Sequence, residues 1–167
     1  AAIGDFPDIR WIPSVEFTGV TSIGNVDVVA LGLPLKPPPL LQTLLDDCHE
    51  MQRRRGADIC AAARTLGYDY PDSDREKVLR SYRRENVFPV QGMTHIRNET
   101  QIRYFIDRGF VADAEQGEEL FAKIRATGML RPYLPMERVA EAVHAAGGIL
   151  SIAHPTDYVP EYDEAKV

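Results

Sequence analysis

The stretch GGILSIAHP, residues 147–155, decides how the chain is read. A short apolar run bounded by turn-forming residues reads as a strand, here 149–153. His154 follows at the strand's end, directly before Pro155. Folds that alternate strands and helices place reactive groups at such ends. A strand that simply stops at a histidine has the same look, so the residues alone leave His154 open between metal ligand and strand terminator.

Working outward, the segment before the glycines reads as a helix over 136–146, with Met136, Val139, Ala140 and Val143 on one face. At the other end of the chain, DIRWIPSVEFT (8–18) reads as a short strand ending at Pro13, with Glu16 just past it. VDVVALGL (26–33) reads as a buried strand with Asp27 near its start. PLKPPPL then breaks all regular structure.

A long helix is expected over 39–66, its apolar stripe running through Leu41, Leu44, Leu45, Cys48, Met51, Ile59, Ala62, Ala63 and Leu66, with Gly67 as its stop. Arg55 falls on that stripe. Either its stem packs while its head reaches water, or it faces inward as a phosphate ligand. Three shorter helices, 74–85, 99–108 and 114–127, open at capping-box patterns: Ser73 with Glu76, Asn98 with Gln101, Asp113 with Gln116. Residues 129–134 read as extended. This order predicts an α/β fold, part of a barrel, with barrel elements in 1–35 and 134–167 and a helical insertion over 36–133.

The composition sets limits. The chain has 167 residues, 44% of them hydrophobic and 26% charged, which supports a packed core. A net charge of −6 gives no global attraction to nucleic acid or to acidic membranes, so no stable duplex nucleic-acid partner is expected. Arginine outnumbers lysine 15 to 4, which suits local phosphate binding, although biased composition produces the same ratio. Cys48 and Cys60 lie 12 residues apart on the long helix, roughly 18 Å by helical rise and out of disulfide reach. Free thiols fit a reducing, cytoplasmic setting. No run of 18 apolar residues and no signal-peptide pattern occurs, so no membrane partner is expected. The chain opens without Met, and it is expected to be a piece of something longer.

His49 lacks a zinc-type partner at the usual spacing, His144 sits off the apolar face of its helix, and the Arg53–Arg55 run reads as a solvated helix face. Glu16, Asp27 and His154 remain. Two carboxylates and an imidazole suit Zn, Mn or Fe.

Three motifs, IPSVEFT, VDVVALGL and GGILSIAHP, resemble in order the strand motifs of the polymerase and histidinol phosphatase (PHP) superfamily. RRRGADICAAARTLG, FPVQGMTHIRNETQIRYFIDRGFV and YLPMERVAEAVHAAGGILSIAHP resemble segments of its metal-dependent phosphoesterase branch. The resemblance implies a distorted seven-stranded (βα) barrel carrying a helical insertion. It implies two or three divalent metal ions (Mn, Zn or Fe) and hydrolysis of phosphate esters by a metal-activated water. It places Glu16 at a bridging metal carboxylate, Asp27 where the family has a metal-binding histidine, and His154 at another metal-binding histidine. It places His95 near the substrate phosphate and Arg55 as the helix arginine facing it, both as catalytic residues.

The family's H-x-H and H-D motifs have no counterpart here, and its D-x-H motif would follow residue 167. The expected activity is therefore that of a phosphoesterase on a nucleotide, short oligonucleotide or small phosphate ester, in a chain that is either a central fragment or a degenerate member. The competing expectation is a non-catalytic binding or scaffold module whose helical block serves a partner.

Overall fold

A computed structural model describes residues 11–158. Two strands open it, β1 (Ser14–Thr21) and β2 (Gly24–Leu31), followed by the long helix α1 (Pro39–Thr65). Then come α2 (Asp72–Tyr82), α3 (Phe88–Gln91), α4 (Asn98–Asp107) and α5 (Ala114–Ala126). The chain closes with β3 (Leu134–Pro135), α6 (Met136–Ala145), β4 (Ile149–Ile152) and α7 (Pro155–Tyr158). The four strands form one open sheet in the order β3-β1-β2-β4. The fold is mixed α/β, and among the described residues the sheet does not close into a barrel.

The first strand differs from expectation. Pro13 does not end it; the strand starts just after Pro13, and Glu16 lies inside it. The reason is hydrogen bonding. Pro13 has no N–H to give a ladder, but its carbonyl accepts from the N–H groups of Gly32 at 3.0 Å and Leu33 at 3.1 Å. It thus locks the start of β1 to the end of β2. Residues 8–10 of the expected strand lie outside the described residues.

β1 and β2 are antiparallel, with Thr21 paired to Gly24 across a two-residue loop. A loop that short joins only antiparallel neighbours, since a parallel pair needs a crossover. Thr21 builds the turn: its hydroxyl donates to the Gly24 carbonyl at 2.9 Å and accepts the Ile23 N–H at 3.2 Å. Gly24 sits at φ 116°, a conformation open to glycine. β4 is also antiparallel to β2, while the short β3 is parallel to β1. The rule that reactive groups gather at the C-terminal ends of parallel strands therefore does not govern Glu16 and Asp27.

The chain divides into two compact units, 1–47 with 133–167, and 48–132. In the first, the alternation of the strands buries Phe17, Val26, Val28 and Ala30 on one face of the sheet, with Val139, Ala142 and Val143 of α6 in the same core. α6 passes close to Gly19, where a Cβ would lie 2.7 Å from the Met136 side chain.

The second unit is helical. Ile59, Cys60, Ala62 and Ala63 of α1 pack with Tyr70, Leu79, Ile102, Phe105, Phe121 and Ile124. Phe105 is fully buried, edge-on to Tyr70 at 5.2 Å and stacked on Phe121 at 5.8 Å. Both cysteines are free, as expected, and burial pushes the Cys60 thiol up to about 12, which leaves it inert.

The helix starts differ in detail. Asp113 caps α5 as the pattern predicts, its carboxylate accepting the Gln116 N–H at 2.9 Å. The reciprocal bond runs from the Ala112 N–H to the Gln116 side chain at 3.1 Å. The Ser73 and Asn98 patterns do not cap. α2 starts one residue before Ser73, after Pro71, and α4 starts at Asn98 itself, after Arg97. In α4 the Gln101 amide instead donates to the Ile96 carbonyl at 2.9 Å. Among the described residues no helix is long and apolar enough to cross a membrane.

Candidate functional site

In the first unit the register decides where the carboxylates point. Glu16 lies opposite Val29, and Thr18 lies opposite Asp27. Directly paired residues share a face, so Glu16 and Asp27 are diagonal neighbours on the face opposite the Phe17–Val28 core, with Cβ atoms within about 7–8 Å. Glu16 is exposed and Asp27 half-buried.

His154 is tied to the same region through the backbone of Asp27. The Asp27 carbonyl accepts the Ala153 N–H at 2.9 Å, one step beyond the end of β4. The Asp27 N–H donates to the Tyr158 hydroxyl at 3.0 Å. Both backbone groups of Asp27 are thus held by residues flanking His154. His154 itself turns the chain in the left-handed region, at φ 50°, and its carbonyl accepts the Asp157 N–H at 2.9 Å. It is the one described non-glycine residue with positive φ, and such outliers concentrate at functional sites.

The three residues nevertheless fall short of a metal site. Among the described residues no group of three His, Cys, Asp or Glu side chains is placed to hold a metal ion. A bridging carboxylate needs donors on both sides of it to hold two cations close together, and Glu16 with its diagonal neighbour Asp27 does not supply them, since no such group of three forms among the described residues.

In the second unit His95 follows the turn Gly92–Met93–Thr94. His95 is half-buried, and its Nδ1 is fully buried with no hydrogen-bond partner among the described residues. Burial, the Arg55 guanidinium and the Arg83 guanidinium all hold the imidazole below the ordinary histidine value. A neutral ring keeps one nitrogen as an acceptor and one as a donor.

Arg55 is half-buried, and its Nη1 donates to the Arg131 carbonyl. Its head is thus directed into the second unit rather than out to water. Arg131 is in turn gripped by Asp58, one turn along α1, through Nε at 2.7 Å, Nη2 at 3.0 Å and the backbone N–H at 3.1 Å.

Sequence reasoning passed over Arg83, Arg75 and Gly56. Arg75 is buried and donates to the Arg53 carbonyl at 3.4 Å. Gly56 makes room for it: a Cβ there would lie 1.9 Å from the Arg75 guanidinium and 2.9 Å from the Thr94 carbonyl. The signal was a glycine in mid-helix directly after Arg55, where alanine would be favoured unless something must approach closely.

No protein-family model matches the chain, and no curated protein matches it. The chain is similar in fold to a solved structure of an amidohydrolase from Chromobacterium violaceum with bound sulfate and no metal, at TM-score 0.62 and 20% identity. The match covers 93% of this chain and 50% of that one, so the chain spans about half the length of the protein it resembles.

Proposed function

We propose that this chain is part of a hydrolase acting on phosphate esters, and that its helical unit recognises the phosphate. One observation carries this reading: the buried Nδ1 of His95, without a protein partner, lies in a ring that Arg55 and Arg83 both influence. Buried polar atoms are nearly always satisfied. A phosphate oxygen beside two guanidiniums would satisfy this one, because a dianion draws a proton onto the imidazole and turns Nδ1 into a donor. The similar fold of a hydrolase that binds sulfate, another tetrahedral oxyanion, supports the same class of ligand. A nucleotide, short oligonucleotide or small phosphate ester would fit the reading equally.

Divalent-metal dependence, with Mn, Zn or Fe held by Glu16, Asp27 and His154, belongs to this proposal only with further donors, since the described residues do not assemble a metal site by themselves. That same observation favours a second reading, a phosphate-binding module without catalysis.

The experiment is hydrolysis of chromogenic phosphate mono- and diesters with Mn or Zn supplied, alongside elemental analysis of the recovered chain. Turnover that falls at least a hundredfold in His95→Gln supports the hydrolase. Phosphate binding without turnover supports the second reading. Neither binding nor turnover sinks both.

A further inference from the structure

We propose that Arg83 is a positioning residue that holds His95 in place by clamping the turn in front of it. The inference rests on the phosphate reading of His95 and adds a residue to it. Arg83 is the first residue after α2. Its Nη1 donates to the Gly92 carbonyl at 2.9 Å, and its Nη2 donates to the Thr94 hydroxyl. The two acceptors lie on either side of Met93, so one planar guanidinium spans the whole turn.

The turn needs such a clamp. Gly92 sits at φ 63° and ψ −150°, a conformation essentially confined to glycine. Its carbonyl also accepts the Thr94 N–H at 3.0 Å, and its own N–H donates to the Phe88 carbonyl at 2.7 Å. Glycine by itself would leave this segment many conformations. A rigid fork meeting two fixed acceptors removes them at small entropic cost, which a lysine's single ammonium does not do.

The clamp sets the direction in which His95 leaves the turn. Thr94 is buried, its carbonyl faces the bare Cα of Gly56 on α1, and Ile96 on the other side of His95 is buried in the core. His95 is therefore pinned on both sides. The charged groups that act on its ring are Arg55 of α1 and Arg83 itself. Arg83 turns both terminal nitrogens to the turn, so its part is to place the imidazole beside Arg55 and to add positive charge there.

The test compares Arg83→Lys, which keeps the charge and loses the fork, with Arg83→Gln, which loses both. Thr94→Val, which removes one acceptor and leaves Arg83 intact, stands in if the Arg83 variants fail to fold. The readouts are the titration midpoint of the His95 imidazole, followed by NMR and assigned with His95→Gln, and the affinity for inorganic phosphate.

In Arg83→Lys the loosened turn should let water reach the ring. The His95 midpoint then rises toward the ordinary histidine value, and phosphate affinity falls at least tenfold, close to Arg83→Gln. Thr94→Val should move both readouts the same way. An Arg83→Lys midpoint equal to wild type overturns the proposal and leaves Arg83 as a charge alone; so does an unmoved midpoint in Thr94→Val where that variant stands in. If phosphate perturbs no imidazole in the wild-type chain, the phosphate reading fails, while the midpoints still decide what Arg83 does.

Discussion

The Tyr158 hydroxyl accepts the backbone N–H of Asp27 at 3.0 Å across 131 residues of sequence. It takes the place of a strand. β4 stops at Ile152, Ala153 makes one more ladder bond to the Asp27 carbonyl, and the tyrosine satisfies the N–H that a longer β4 would have paired. His154 is the residue at which the chain leaves the sheet, so this bond fixes the span that contains it.

Tyr158→Phe removes only that hydroxyl. The Asp27 amide should then exchange with solvent at least tenfold faster, and the fold should lose about 1 kcal/mol, the usual net worth of one hydrogen bond. Amide exchange by NMR checks it. Unchanged exchange at Asp27 would mean the tyrosine does not cap the ladder.

Gly56→Ala should destabilise the helical unit, against the usual sign. In an exposed helix interior the change would stabilise by about 1 kcal/mol. Here the new methyl meets the Arg75 guanidinium and the Thr94 carbonyl, and the carbonyl is backbone that cannot swing away. A loss of about 1–3 kcal/mol is expected from overpacking. Because Thr94 precedes His95, phosphate binding should weaken as well. Urea denaturation gives the sign, and a stabilised variant would show that Arg75 moves aside freely.

Phe105→Ala should cost about 3–5 kcal/mol, since the ring is fully buried among Tyr70, Phe121 and the rest of the helical core and nothing nearby can fill its volume. A loss below 1 kcal/mol in urea denaturation would contradict the packing described.

Much of this was legible from spacing. α1 and α6 end within one residue of their expected stops, because each apolar stripe finishes at a glycine, Gly67 and Gly147, that takes positive φ. The sheet was harder. The pairing of Thr21 with Gly24 makes the residues between the two expected strands a hairpin that reverses β2. Once reversed, Glu16 and Asp27 cease to be strand-end residues and become diagonal neighbours within a face.

At the candidate site, the helical stripe held Arg55, the family resemblance named His95, and neither pointed to Arg83. Periodicity reports which residues face a core. It carries no trace of a guanidinium reaching forward across nine residues to a glycine carbonyl.

Acid should report on the Asp58–Arg131 pair, which ties the end of the α5–β3 connection back to α1. The bonds from Arg131 hold the Asp58 carboxyl below its ordinary value. The folded chain therefore binds this proton less readily than the unfolded chain does. The pair's stabilisation is complete above the unfolded carboxylate value of about 4, and it is lost as pH falls through the lower folded value. Asp58→Asn removes the charge at every pH. Its melting temperature should lie below wild type at pH 7, and the gap should close progressively below about pH 4, where the wild-type carboxyl takes up its proton. Thermal unfolding at pH 7, 5 and 3 measures the gap. A gap that stays constant across that range would mean the carboxylate contributes shape and hydrogen bonds but no charge-dependent stability.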